Sequence, residues 1–267
     1  MDTRPIGIFD SGLGGLTAAK MLEGILPGEN LIYFGDSANA PYGTRSREEL
    51  AALATANAAF LQRFGVKAIL VACGTVSSTV IDAVARQFPE IPFFGVLEAP
   101  CATAAAKGGR VAVAATEATI RSGAYARRLK ELNPEVEVFS KACQSLVATV
   151  ERGHFCPGDP FAERAVEEEL APIRDFAPDT LMLACTHFPL LAEVIAEYMG
   201  PKVRLLSVGA ETAWALQKYL WKNGLLSGME TGERRWFTSG STAEFSEFAE
   251  IFLGHKVTPE QHVNKIE

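Results

Sequence analysis

Short apolar runs alternate with amphipathic stretches along the whole chain. Residues 6–10, 31–35, 68–72 and 92–95 read as buried strands, and residues 16–26, 47–64 and 77–88 as the helices between them. A second series follows, with strands at 111–115, 136–140, 180–184 and 203–207 and helices at 123–132, 161–176 and 190–199. Strands that are apolar throughout, rather than at every second position, are covered on both faces. The pattern therefore predicts an α/β protein whose mainly parallel sheets are flanked by helices. The segment 95–100 reads as a crossing point between two units, and 210–222, 234–239 and 242–253 as a return to the first. The expected domains are residues 1–97 plus 209–267, and residues 98–208.

Two of the strand predictions end in the same way. Ile69-Leu70-Val71-Ala72 closes on Cys73 and then Gly74-Thr75, while Leu181-Met182-Leu183-Ala184 closes on Cys185 and then Thr186-His187. Ligand sites in open α/β sheets lie beyond such strand ends. Two thiols presented by two similar halves suit a reaction with two-sided symmetry. Helix starts are expected after each, at Ser77-Ser78 and at Pro189, which places each thiol near a helix N-terminus. That position lowers a thiol's pKa from about 8.5. Cys101, Cys143 and Cys156 read as small buried apolar residues.

Composition narrows the classes. Hydrophobic residues make up 48% and charged residues 21% of 267 positions, as in an ordinary globular protein. The net charge of −7 argues against nucleic acid as a partner and implies that an anionic substrate is held by backbone N–H groups and hydroxyls. No stretch approaches a membrane span and no signal-peptide pattern opens the chain. Five widely spaced cysteines do not form a disulfide framework, so a reduced, cytoplasmic protein is expected.

Asp10-Ser11-Gly12-Leu13-Gly14-Gly15-Leu16-Thr17 follows the first strand. Its glycines let backbone N–H groups approach an anion, or simply form a strand–helix turn. Asp10 at the strand end is either a helper base or a helix cap. The segment 36–43 is a turn-rich loop in which Tyr42 and Gly43 offer adjacent backbone donors. His187, one of only four histidines, is placed to act as a general acid or to tune Cys185. Glu151, read alone, is a surface helix carboxylate. No second cluster with ligand spacing accompanies the Cys–His pair, so no metal is expected, and the site motifs hold no lysine for a Schiff base.

Together, DSGLGGLT at 10–17, GDSANAPYG at 35–43, LVACGTVSS at 70–78, GVLEAP at 95–100, ATEATIRSGAY at 115–125, VERG at 150–153 and LACTHFPLL at 183–191 resemble the glutamate racemases of the cofactor-independent aspartate/glutamate racemase superfamily. The resemblance implies two pseudo-symmetric α/β domains with the active site between them, a homodimer, no cofactor, and interconversion of L- and D-glutamate for peptidoglycan. It implies that Cys73 and Cys185 are the acid/base thiols, Cys185 acting on L-glutamate and Cys73 on D-glutamate. Asp10, Glu151 and His187 would assist them. Ser11, Pro41, Tyr42, Gly43, Gly74, Thr75, Thr119 and Thr186 would line the amino-acid site. Two positions depart from the usual pattern, Gly74 where the family has Asn and Asn39 where many members have Arg. The alternatives are a racemase for aspartate or for a broader range of amino acids, and a non-catalytic amino-acid-binding protein on the same fold.

Overall fold

The computed structural model describes residues 1–264, whose strands form two parallel sheets. In chain order these are β1 (Ile6–Asp10), β2 (Leu31–Gly35), β3 (Ala68–Val71), β4 (Phe93–Gly95), β5 (Arg110–Ala115), β6 (Glu137–Ala142), β7 (Thr180–Leu183), β8 (Arg204–Ser207), β9 (Arg234–Thr238) and β10 (Glu260–Gln261). The first sheet runs β10-β9-β2-β1-β3-β4 and the second β6-β5-β7-β8. Apart from β9 and β10 at one edge, the two have the same order, since β2-β1-β3-β4 repeats as β6-β5-β7-β8. The single echo of a thiol at a strand end is thus part of a repeated topology.

That order fixes where a site can form. Connections leave β1 toward β2 on one side and later return to β3 on the other, so a crevice opens at the carboxyl ends of β1 and β3. The same holds for β5 and β7. Cys73 follows β3 by two residues and Cys185 follows β7 by two, and Asp10 is the last residue of β1.

Local chemistry sets the helices. Helix Arg47–Gln62 opens with a capping box in which Ser46 accepts from the Glu49 N–H and Glu49 reaches back to Ser46. Asp159 caps helix Pro160–Phe176, which carries proline at its first position. Ser207 caps Val208–Lys222 and Ser241 caps Thr242–Leu253. Helix Val208–Lys222 ties the two halves together: Gln217 donates to the Ile25 carbonyl at 2.9 Å on the side of the first sheet, and Glu211 accepts from the Thr103 hydroxyl at 2.7 Å on the side of the second. One apolar cluster accordingly contains residues of both sheets, including Ile8, Leu70, Ala112 and Leu181, while the outer face of each sheet has its own cluster. Among the described residues no helix is long and apolar enough to cross a membrane.

Several boundaries differ from expectation. The stretch 77–88 is two short helices, Gly74–Thr79 and Ile81–Ala85, separated at Val80. The first starts directly at Cys73, because the Ser77 hydroxyl donates back to the Val71 carbonyl at 3.1 Å instead of capping a later start. The stretch 123–132 begins at Ala124, since Gly123 takes a left-handed conformation (φ +65°) that ends a preceding helix, Glu117–Ser122. After Cys185 the chain makes a 3-10 turn, Phe188–Leu191, before helix Ala192–Met199. The segment 95–100 does lead from one sheet to the other, but through a helix, Glu98–Lys107, that the apolar pattern did not reveal. Strand β10 was also missed.

Candidate active site

The carboxyl ends of β1, β3, β5 and β7 meet around a cavity of about 520 Å³. Asp10, Ser11, Pro41, Tyr42, Gly43, Cys73, Gly74, Thr75, Thr119, Glu151, Cys185, Thr186 and His187 all line it. The first sheet brings the residues up to Thr75 and the second brings the rest.

The glycines after β1 serve the carboxylate of Asp10 rather than a bound anion. Asp10 Oδ2 accepts the Gly15 N–H at 3.0 Å and the Gly12 N–H at 3.3 Å, while Oδ1 is buried without a partner. Asp10 is 1% exposed, and burial raises its pKa against the opposing pull of those N–H groups and of the His187 charge. Gly14 has a steric reason of its own. A Cβ there would run into the Thr186 hydroxyl and the His187 ring, which come from the second sheet. Thr17 completes this contact by donating to the Thr186 carbonyl at 3.1 Å.

The two thiols sit in opposite electrostatic surroundings. Cys73 is the N-cap of helix Gly74–Thr79 and is buried. Burial and, next, the Asp10 charge push its thiol up to about 12, although the nearby Val76 and Thr75 N–H groups and the Ser11 hydroxyl act the other way. The helix N-terminus was expected to lower this pKa, and at Cys73 desolvation outweighs it. Cys185 faces a base instead. Its Sγ lies 3.8 Å from His187 Nδ1, and His187 Nε2 lies 3.2 Å from Glu151 Oε1. Burial disfavours the imidazolium, but the Cys185 sulfur and the Glu151 carboxylate outweigh it and raise His187 to about 10. The cationic histidine is thus held between a sulfur and a carboxylate, within reach of both. Glu151 is therefore more than a surface carboxylate, although its side chain is half exposed.

Further groups shape the walls. Tyr42 is buried, and its hydroxyl donates to Asp36 Oδ2 at 2.5 Å and accepts from Asn57 Nδ2 at 2.9 Å. That clamp fixes the phenol between Asp36 and Asn57. The N–H groups of Tyr42 and Gly43 belong to the first turn of a 3-10 segment, Tyr42–Thr44, where no intrahelical acceptor exists. Thr119 is buried and accepts from the Thr116 hydroxyl at 3.1 Å. Gly74 lies under the other half of the molecule. A Cβ on it would stand 3.0 Å from the Ala184 carbonyl oxygen and 3.4 Å from the Thr119 hydroxyl. The missing side chain thus belongs to a close approach between the two sheets.

Sequence reasoning did not single out Thr116, Glu117, Arg121, Gln144 and Val147, which also line the cavity. Two signals carried them. Thr116 and Glu117 follow the end of β5, which is the counterpart of β1, and Gln144, Val147 and Glu151 share one face of helix Gln144–Glu151. Cys101 and Cys143 are buried away from the cavity, as small apolar residues would be. Cys156 is exposed, contrary to expectation, because it sits in the loop before the Asp159 cap.

Known proteins share this chain's sequence pattern and fold. Residues 17–216 match the Asp/Glu/hydantoin racemase family. The chain is 37% identical over 266 residues to a glutamate racemase of Thermoanaerobacter pseudethanolicus, covering 99% of this chain and 98% of that one. It is 41% identical over 260 residues to a glutamate racemase of Geobacter metallireducens, covering 96% and 95%. The crystal structure of the Francisella tularensis glutamate racemase in complex with D-glutamate superposes with a TM-score of 0.90 at 36% identity, covering 100% of this chain and 99% of that one.

Proposed function

The chain belongs to the Asp/Glu/hydantoin racemase family, and from that membership together with the cavity we infer a glutamate racemase that works through Cys73 and Cys185. It interconverts L- and D-glutamate, and the product D-isomer serves peptidoglycan synthesis. The observation that supports the two-thiol mechanism most strongly is the convergence of two equivalent strand ends, each bearing a cysteine, on one cavity.

In the L-to-D direction the Cys185 thiolate, paired with the His187 imidazolium, takes the Cα proton. The C–H bond breaks, an S–H bond forms, and the electron pair stays on the substrate carbon and its carboxylate. Cys73, kept protonated by burial and by Asp10, delivers its proton to the opposite face of Cα, and a new C–H bond closes. For the D-isomer, Asp10 takes the Cys73 proton, a role that its raised pKa supports, and His187 returns its proton to Cys185. Two protons shift within their own halves and the net charge of the site is unchanged.

The carbanionic transition state needs stabilisation in place of an electron-sink cofactor. Hydroxyls of Thr75, Thr119 and Thr186 and N–H groups of Tyr42, Gly43, Gly74 and Thr75 are the available donors, fixed before substrate arrives. Ser11 acts on the Cys73 sulfur and Pro41 shapes the wall beside it.

Sheet membership supports two domains, residues 1–97 with 209–267 and residues 98–208, with the site between them. A cytoplasmic, reduced setting is supported by five unpaired cysteines, and a homodimer by family resemblance. Incubation of the protein with L-glutamate in D2O tests the reaction. The expected product is D-glutamate carrying deuterium at Cα, with aspartate turned over much more slowly. No Cα exchange with either glutamate isomer overturns the assignment.

A further inference from the structure

Glutamate is an anion, and the catalytic cavity is a poor place for one to arrive. Its acidic side chains are Asp10, Glu117 and Glu151, against Arg121, which Glu117 already engages at 3.4 Å, and the His187 imidazolium, which Glu151 holds at 3.2 Å. The whole chain carries −7. Next to the cavity lies a second hollow of about 400 Å³ with the opposite character. Arg45, Arg47, Arg121 and Arg127 line it, Ser78 and Thr79 add hydroxyls, and among the described residues no acidic side chain does. The two hollows share Gly43, Thr75, Ala118 and Arg121, so they adjoin.

The four arginines come from both halves of the molecule. Arg45 and Arg47 follow the Tyr42–Thr44 turn of the first half. Arg121 and Arg127 belong to helices Glu117–Ser122 and Ala124–Leu132 of the second. Their existing bonds leave most of the charge free. Arg45 donates to the Asn39 carbonyl at 3.1 Å and Arg127 to the Ser122 carbonyl at 2.8 Å, both neutral acceptors. Arg47 has no hydrogen-bond or ion-pair partner among the described residues. Apart from Arg121, these guanidinium groups have no ion-pair partner among the described residues, and cations so clustered repel one another unless an anion visits them.

We propose that this arginine-lined annex is a capture site for the dicarboxylate substrate, holding glutamate by its carboxylates before it passes Arg121 into the catalytic cavity. The inference rests on the glutamate reading above and adds a second binding position to it. Arg47 and Arg127 line the annex and not the catalytic cavity, so they act on arrival rather than on proton transfer.

The test is the double variant Arg47→Gln/Arg127→Gln, assayed with both enantiomers at about 10 mM and at about 0.5 M salt, where the screening lengths are roughly 30 Å and 4 Å. Each charge at roughly 8–10 Å in solvent-like surroundings changes the local concentration of a monoanion by about twofold. The expected result is an unchanged kcat, a kcat/KM about threefold to fourfold lower at low salt, and wild-type behaviour at high salt. Charge reversal, Arg47→Glu/Arg127→Glu, should deepen the low-salt loss to about tenfold. A kcat/KM that is unaffected at low salt, a loss of the same size at both salts, or a fall in kcat overturns the capture role. Wild-type protein that fails to racemise glutamate overturns the functional reading instead, and the two failures are told apart by that control.

Discussion

Replacing Asp10 by Asn should make the Cys73 thiol more reactive and the enzyme less active. The thiol is pushed up to about 12 by burial and by the Asp10 charge, so removing that charge while keeping the side chain's shape isolates the second cause. The asparagine carbonyl can still accept the Gly15 N–H, and its amide can occupy the place of the unpartnered Oδ1. For a separation on the order of 5–7 Å at an effective dielectric near 20, the lost repulsion is about 2–3 kcal/mol. That corresponds to roughly thirtyfold to 150-fold more thiolate at a fixed pH below the pKa. Alkylation by iodoacetamide between pH 7 and 9, with the modified Cys73 peptide quantified by mass spectrometry, should accelerate by about that factor. Racemisation should nevertheless fall by about 10²–10⁴, because the group that takes the Cys73 proton is gone. Since the two enantiomers have equal free energy, kcat/KM must fall by the same factor in both directions. An unchanged alkylation profile would show that Asp10 carries no charge beside the thiol and would refute the reasoning. Faster alkylation with undiminished racemisation would refute the helper-base role alone.

Three other substitutions follow from the same geometry. His187 is raised from its usual 6.5 to about 10, so the stability it contributes is fully present below pH 6.5 and fades as the pH rises toward 10. The stability gap between wild type and His187→Asn, read from urea midpoints, should shrink over that window, and a gap that widens with pH contradicts the ion-pair assignment. Gly74→Ala places a Cβ 3.0 Å from the Ala184 carbonyl and should cost about 1–2 kcal/mol while lowering kcat, because the two strand ends are wedged apart. An unaltered melting temperature and kcat would mean that the halves yield freely there. Lys67 and Glu29 form a buried ion pair at 2.5 Å far from the cavity, so Lys67→Met strands a carboxylate and should cost about 3–5 kcal/mol, or roughly 10 °C in Tm. Recovery of part of that loss in Lys67→Met/Glu29→Gln would show that the stranded charge is the cause.

Most of the site was legible before the structure because its residues lie at strand ends, and strand ends are marked by the switch from apolar to small polar residues. Cys73 and Cys185 declare themselves in this way, and so does Asp10. The helix boundaries were less legible for a physical reason. Ser77 looks like a cap but its hydroxyl turns back to Val71, and the short helix Glu117–Ser122, which ends at Gly123, was not anticipated at all. Helix Glu98–Lys107 was hidden by its composition, since an alanine-rich stretch buried among other helices has little amphipathic contrast. The electrostatics were the least legible. A thiol at a helix N-terminus is expected to ionise easily, and only the depth of burial and the neighbouring carboxylate reverse this at Cys73. Gly74 reads in the sequence only as a departure from the family's Asn, whereas in the fold it relieves a backbone approach across the cleft.

The central claim is that one Cα is flanked on opposite faces by two sulfurs. Its most direct test is a crystal structure with glutamate bound, in which both Sγ–Cα distances are measured. The account predicts that each sulfur reaches its own face of Cα at about 3–3.5 Å, so that the sulfurs stand roughly 7–8 Å apart. Both sulfurs on one face, or a separation too wide for either to reach the carbon, would contradict it.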